Sequence, residues 1–242
     1  MASMFDEDYF ITPLSEYSYI FPDASKASDE GLLAYGGDLS VARLLTAYRN
    51  GIFPWFNEDD PILWWSPNPR LLLYPKDFKV SKSFRKVLKS NKFKVTFDND
   101  FASVIKYCSI VPRDGQNGTW IVPQMQEAYI ELHKAGFAHS VEVYMDEKLV
   151  GGLYGVAIGG AFCGESMFSL VSNASKVAFK ALSDVLGGCG YDFIDCQLKT
   201  DHLVSLGAVE VSRDEFLSQL QEAINKQGID CKWQDFRWSY KD

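Results

Sequence analysis

Residues 149–164, LVGGLYGVAIGGAFCG, are sixteen uncharged residues in a row, and no other stretch limits the fold as strongly. Gly151, Gly155 and Gly159 repeat at the small-residue spacing found where membrane helices pack. The run is nevertheless too short to span a bilayer and too rich in glycine for a stable helix. Gly159-Gly160, set between two apolar stretches, predicts the turn of a buried hairpin from Leu149 to Ser169. A chain with such a hairpin at its centre must build a sheet around it.

The flanking pattern mixes strands and helices without strict alternation. Asp38 or Ser40 can cap a helix with Leu44, Leu45 and Tyr48 inward and Gly51 just past its end. Ser81 starts a second helix, with Phe84, Val87 and Leu88 inward, followed by a strand near Phe93 to Phe97. Further helices fit Asn99 to Ile110, Pro123 to Ala135 and Asn173 to Leu186, and strands fit Ser140 to Met145 and Phe193 to Gln197. Ser212 and Glu215 have capping-box spacing ahead of Phe216, Leu217, Leu220 and Ile224. The fold class expected is α+β, with a mixed or antiparallel central sheet flanked by helices.

Two domains are expected, a small one over 1–70 and a larger one over 71–242. Their junction is the aromatic and proline-rich segment that holds Trp55, Trp64, Trp65, Pro54, Pro67 and Pro69. Proline removes a backbone donor and restricts the residue before it, so neither a regular helix nor a regular strand is expected there. Large aromatics on irregular backbone either pack a junction or wall a pocket.

Net charge is −8, which argues against indiscriminate nucleic-acid binding over the whole surface. Between Lys76 and Lys94, however, eight cations face the single acid Asp77. That cluster is either a solvated helix face or a contact for phosphates, since each exposed cation near a phosphate gains affinity by counterion release. The five cysteines include no CxxC pair, and the three histidines lack metal-ligand spacing, so no metal and no cofactor is expected. The acids in MASMFDEDYF do not suit a signal peptide, and a soluble, cytoplasmic monomer with no membrane partner is expected.

The phosphate-binding loop, the GxGxxG turn and the GxSxG nucleophile elbow are all missing. Cys163 and Cys196 have apolar neighbours and read as structural thiols. The chemistry-bearing residues that remain are Glu165, in an otherwise uncharged hairpin, and Asp195 with Gln197. Strand alternation would put Asp195 and Gln197 on one face and Ile194 and Cys196 on the other. A structural, paired acid is the competing reading for each carboxylate.

The blocks GLLAYGGDL, GIFPWF, LWWSPNPR, GTWI, EAY with HSVEV, GGLYGVAIGGAFCGESMFS, NASKVA, DCQ and HLVSLGA occur here in the order seen in bacterial leucyl/phenylalanyl-tRNA protein transferases. From about Phe21 to Phe216 the chain resembles that family. The resemblance implies a small N-terminal domain joined to a GNAT-type domain. It also implies transfer of Leu or Phe, and less readily Met, from aminoacyl-tRNA to proteins with N-terminal Arg or Lys, marking them for Clp-dependent degradation. It assigns Asp195 and Gln197 to the catalytic strand and Glu165 to the substrate's amino or acceptor site. Trp55 and Trp120 match aromatics that hold the terminal adenosine. Leu153, Phe162, Phe179, Leu186 and Ile194 match the lining of the amino-acid pocket. Lys76, Lys79, Lys82, Arg85, Lys86 and Lys89 would then meet acceptor-stem phosphates; the family has arginine where Lys82 stands, so a bidentate contact is replaced by a point charge.

On this basis the acceptor's α-amine attacks the aminoacyl ester directly, with Gln197 orienting the amine and Asp195 stabilising the developing ammonium. Two rival readings are an acyl-CoA-dependent GNAT-type acyltransferase and a non-catalytic module that binds tRNA or basic N-termini. The first calls for a phosphate-cradling loop before the NASKVA helix, where MFSLVS stands instead. The second leaves Glu165, Asp195 and Gln197 without a role.

Overall fold

Gly159 and Gly160 do turn the central hairpin, β8 (Lys148–Ile158) to β9 (Ala161–Ser169), in the computed structural model, which describes residues 11–112, 121–226 and 233–240. Gly159 has φ +54°, and a Cβ there would lie 2.4 Å from the carbonyl oxygen of Ala223. Only glycine lets the last turn of helix α7 (Arg213–Ile224) come this close.

Around the hairpin runs a seven-stranded sheet in the order β11-β5-β10-β9-β8-β7-β6. Its other members are β5 (Arg70–Leu73), β6 (Lys94–Phe97), β7 (Ala138–Met145), β10 (Phe193–Gln197) and β11 (Val209–Val211). β9 and β10 pair in parallel and every other neighbour is antiparallel, so the sheet is mixed, as expected. Alternation along β8 sends Tyr154, Val156 and Ile158 to one face and Leu153 to the other. The first face packs α1 (Val41–Arg49), α3 (Phe101–Ile110) and α4 (Pro123–Lys134); the second packs α2 (Lys82–Lys89) and α5 (Ala174–Gly188). A short helix, α6 (Asp201–Ser205), links β10 to β11.

The expected caps are in place. Ser40, Ser81 and Ser212 accept from the amides of Arg43, Phe84 and Glu215, and Gly51 has φ +72° just past α1.

The aromatic and proline-rich segment departs from expectation. It is not wholly irregular: β3 (Phe53–Pro54) and β4 (Leu63–Trp65) join β1 (Thr12–Leu14) and β2 (Leu32–Gly36) in a four-stranded sheet, order β1-β2-β4-β3. Pro54 lies at the end of an edge strand, where a missing donor is tolerated. Arg70, the last residue of the expected N-terminal segment, is the first residue of β5 in the larger sheet. Leu44, Tyr48 and Trp64 share one continuous core with α3, α4 and β8. The buried Arg213 guanidinium donates to the carbonyls of Ala27 and Ser28, at 3.2 and 2.9 Å, and ties α7 to the N-terminal part.

The tail after residue 232 packs down as well. Trp233 stacks on His139 with ring centroids 4.0 Å apart, and the Trp238 indole donates to Asp184. Among the described residues, no helix is long and apolar enough to cross a membrane.

Candidate active site

The parallel ladder between β9 and β10 ends at the pair Cys163–Asp195. Just beyond it, both strands carry a bulge. On β9, Tyr154 pairs with Ser166 and Gly155 with Gly164, which leaves Glu165 as the extra residue. On β10, Leu72 pairs with Asp195 and Leu71 with Gln197, which leaves Cys196 as the extra residue. A bulge re-aims the side chains around it. Gly155 makes the first one possible, because a Cβ there would sit 2.3 Å from the carbonyl oxygen of Cys163.

Past the two bulges lies a cavity of about 640 Å³, lined mainly by apolar groups. Glu165, Gln197, Trp55, Leu153, Phe179 and Ile194 all face it, so the structure brings together six of the residues singled out in the sequence. Trp55 is 38% exposed, with its ring 5.4 Å from Trp65 edge-on and its carbonyl held by the Trp65 indole at 2.7 Å. It forms a partly open aromatic platform beside the cavity.

Three expected site residues lie elsewhere. Phe162 is fully buried, at a level where β9 is still laddered to β10, and its ring faces Trp233. Leu186 sits one turn beyond Leu182 on α5, in the packed core rather than the lining. Asp195 does not share the face of Gln197, because the bulge at Cys196 breaks the alternation that predicted it. Gln197 instead joins Ile194 and Cys196 in the lining. Trp120 lies outside the described residues. Lys76, Lys79, Lys82, Arg85, Lys86 and Lys89 are all exposed, on α2 and the turn before it. Phe78, within that segment, packs 5.7 Å from the cavity residue Phe179 and sets the basic surface next to the site.

Glu165 is the centre of the polar end. Tyr48 donates to its Oε1 at 2.7 Å, Tyr129 to its Oε2 at 3.1 Å, and the Gln197 amide to Oε1 at 3.0 Å. The hydroxyls of Tyr48 and Tyr129 also meet one another. Burial pushes the Glu165 carboxyl up to about 7, against the pull of the two phenols and the amide, with Asp195 adding to the rise. Burial, then the charge of Glu165, holds both phenols well above their ordinary value. A carboxyl poised near neutrality at a cavity wall can take or release a proton under cellular conditions.

Asp195 is wholly buried and gripped by Arg70 through two parallel bonds, Nε to Oδ1 at 2.8 Å and Nη2 to Oδ2 at 2.6 Å. Burial opposes the charge on Arg70, and Asp195 more than offsets it, so the guanidinium stays above its ordinary value. Burial and the nearby Asp195 keep the Cys163 and Cys196 thiols protonated, which agrees with a structural role for both. Sequence reasoning missed Arg70 and Tyr129, and read Tyr48 only as a core residue of its helix. A lone cation opening the apolar run RLLL was the available sign for the first; nothing set Tyr129 apart from the core face of its helix.

The cavity offers apolar walls, a hydrogen-bonded carboxyl group at one end and an aromatic platform at its edge, with exposed cations alongside. The family model described as leucyl/phenylalanyl-tRNA protein transferase matches residues 72–221, and that of the N-terminal domain of the same transferases matches 37–68. A leucyl/phenylalanyl-tRNA–protein transferase of Solidesulfovibrio magneticus is 56% identical over 214 residues, covering 88% of this chain and 87% of its own. One from Sulfurimonas denitrificans is 53% identical over 224 residues, covering 93% and 97%. The chain belongs to the leucyl/phenylalanyl-tRNA protein transferase family. Among solved structures, a conserved protein of unknown function from Bacteroides thetaiotaomicron aligns with TM-score 0.41 at 13% identity, covering 67% of this chain and 57% of that one. A GCN5-related N-acetyltransferase from Kribbella flavida aligns with TM-score 0.34 at 11% identity, covering 69% and 60%.

Proposed function

We propose that this protein transfers Leu or Phe, and less readily Met, from aminoacyl-tRNA to the N-terminal Arg or Lys of acceptor proteins, marking them for Clp-dependent degradation. The observation that carries this reading is the apolar cavity closed by Glu165 between Tyr48, Tyr129 and Gln197. The donor's side chain enters among Leu153, Phe179 and Ile194, which favour apolar residues but separate similar ones by only about 1–3 kcal/mol. Tolerance of Leu, Phe and Met follows. Trp55 offers its face to the terminal adenine, a stacking contact worth roughly 1–3 kcal/mol. The exposed cations of α2 and its leading turn meet acceptor-stem phosphates and contribute affinity without reading sequence.

In the transfer step the acceptor's α-amine attacks the ester carbonyl carbon. A C–N bond forms, the bond from that carbon to the ribose oxygen breaks, and the amine's proton ends on the ribose oxygen. Attack turns that amine into an ammonium, and Glu165 can take its excess proton and pass it on to the ribose oxygen. Gln197 orients the amine by hydrogen bonding. Asp195, whose charge is already matched by Arg70, supports Gln197 and does not stabilise the ammonium directly. Much of the rate comes from proximity, since an α-amino group near pH 7.7–8.0 is partly neutral already.

Labelled Phe, supplied as Phe-tRNA, is expected on a peptide beginning with Arg and not on the same peptide beginning with Ala. Label on neither peptide would refute the reading, and label on both would refute its acceptor rule.

A further inference from the structure

Arg70 reaches the cavity only through other residues, and the path can be followed atom by atom. Its guanidinium grips both oxygens of Asp195. Asp195 Oδ1 in turn accepts from the backbone N–H of Gln197 at 2.9 Å, across the bulged Cys196. Gln197 has φ +62°, a left-handed conformation that a residue with a Cβ adopts only when its surroundings impose it. From that conformation its amide reaches Glu165 at 3.0 Å.

Arg70 itself is fixed on every side. Its flat faces lie against the rings of Phe53 and Phe216, with 4.9 and 4.4 Å to the centroids, and Nη1 donates to the carbonyl of Gly51 at 3.3 Å. The fork is thereby bolted to β3 and α7 and offers Asp195 one geometry.

We propose that Arg70 is a positioning residue for transfer: it holds the Asp195 carboxylate so that the Gln197 backbone is locked in its left-handed turn and the Gln197 amide is delivered to Glu165 at the cavity wall. This rests on the transfer activity proposed above. A cation alone does not suffice. A lysine at position 70 would keep the charge and lose the two-point grip, and the Asp195 carboxylate could then rotate away from the Gln197 amide.

The test is a set of variants read in two ways. One readout is steady-state transfer of Phe to an Arg-initiated peptide. The other is the titration of Glu165 by NMR of carboxyl-labelled glutamate, which requires no activity. Arg70→Lys is expected to lower kcat by roughly tenfold or more with little change in KM for Phe-tRNA. The Glu165 midpoint should rise by about one pH unit, as loss of one bond to the ionised carboxylate predicts. Gln197→Leu should show the same rise, and the double variant should be no worse than Gln197→Leu alone.

Arg70→Met combined with Asp195→Leu replaces the buried pair with apolar groups of similar size, which proteins commonly tolerate. It is expected to fold and still show the lowered kcat, while its Glu165 midpoint carries no weight here because the charge of Asp195, which raises that midpoint, leaves with the pair. Wild-type titration of Glu165 in Arg70→Lys would overturn the proposal, as would a wild-type kcat in the apolar pair or fully additive losses in the Arg70→Lys, Gln197→Leu double variant. If the wild-type protein transfers nothing, the transfer reading fails, while the titrations still decide whether Arg70 sets the Gln197–Glu165 contact.

Discussion

Asp195 and Glu165 occupy adjacent parallel strands a few residues apart, yet the end of one ladder divides them into two kinds of acid. Asp195 stands where β9 and β10 are still paired, wholly buried, its charge met by the two-point grip of Arg70. Glu165 stands one bulge past the last pair, at the wall of a cavity, with two phenols and an amide for partners and no cation in contact among the described residues. A carboxylate matched by a fixed cation serves the structure. A carboxyl held only by neutral donors in a buried site is lifted to about 7 and becomes available to chemistry. The same residue class thus acquires opposite uses from where regular pairing stops.

The division can be broken most forcefully from the structural side. Asp195→Ala strands a buried guanidinium, and loss of one partner from a buried pair costs about 3–5 kcal/mol. Chemical denaturation at neutral pH should show a loss of that size. A change below 1 kcal/mol would mean that Arg70 is solvated in the folded protein.

On the Glu165 side the expected effect lies in the pH dependence. In the unfolded chain this carboxyl titrates near 4.5, and in the folded protein near 7. Between those values the folded state binds more protons than the unfolded one, so stability from this group is full below about pH 4.5 and is lost as pH rises to about 7. The magnitude is on the order of 3 kcal/mol. Glu165→Gln should remove this slope from denaturation midpoints measured across the window; an unchanged slope would place the titrating group elsewhere.

The smallest of the three effects sharpens the role of the bulge. Gly155→Ala sets a methyl against the Cys163 carbonyl, and the backbone must move to admit it. A loss of about 1–3 kcal/mol is expected, together with weakened transfer, because the bulge aims Glu165. Wild-type transfer in a destabilised variant would separate the bulge from function.

This comparison also marks how far the sequence could be read. Ser81, Ser212 and the pair Asp38 or Ser40 marked their helices because capping chemistry is local, and Gly159-Gly160 named the hairpin because the turn is two residues long. Glu165, Gln197 and Trp55 were legible as a lone acid, an amide beside a carboxylate and a large aromatic among prolines, Leu153, Phe179 and Ile194 only through family resemblance, and all six line the cavity. What failed was strand alternation. It assumes an unbroken ladder, and one extra residue at Cys196 sends Asp195 toward Arg70 and Gln197 toward the cavity. Gly155 and Gly164 within otherwise regular strands were the sign of irregularity, since an isolated glycine in a strand often marks a bulge. The link from Arg70 to Asp195 spans 125 positions of sequence, so the lone cation opening RLLL could mark itself and not its partner. The short strands β1, β3 and β4 escaped because two or three residues cannot show a period.

The measurement that tests this account most directly is single-turnover transfer of Phe from Phe-tRNA to an Arg-initiated peptide by the wild-type protein and by Glu165→Gln. Glutamine keeps the size of the side chain and removes its ability to hold a proton or match an ammonium. The account predicts a folded variant that still binds Phe-tRNA and transfers at least about 100-fold more slowly, the usual scale for a positioned acid–base group. Transfer at the wild-type rate would contradict it, and Glu165 would then be no more than a buried structural acid.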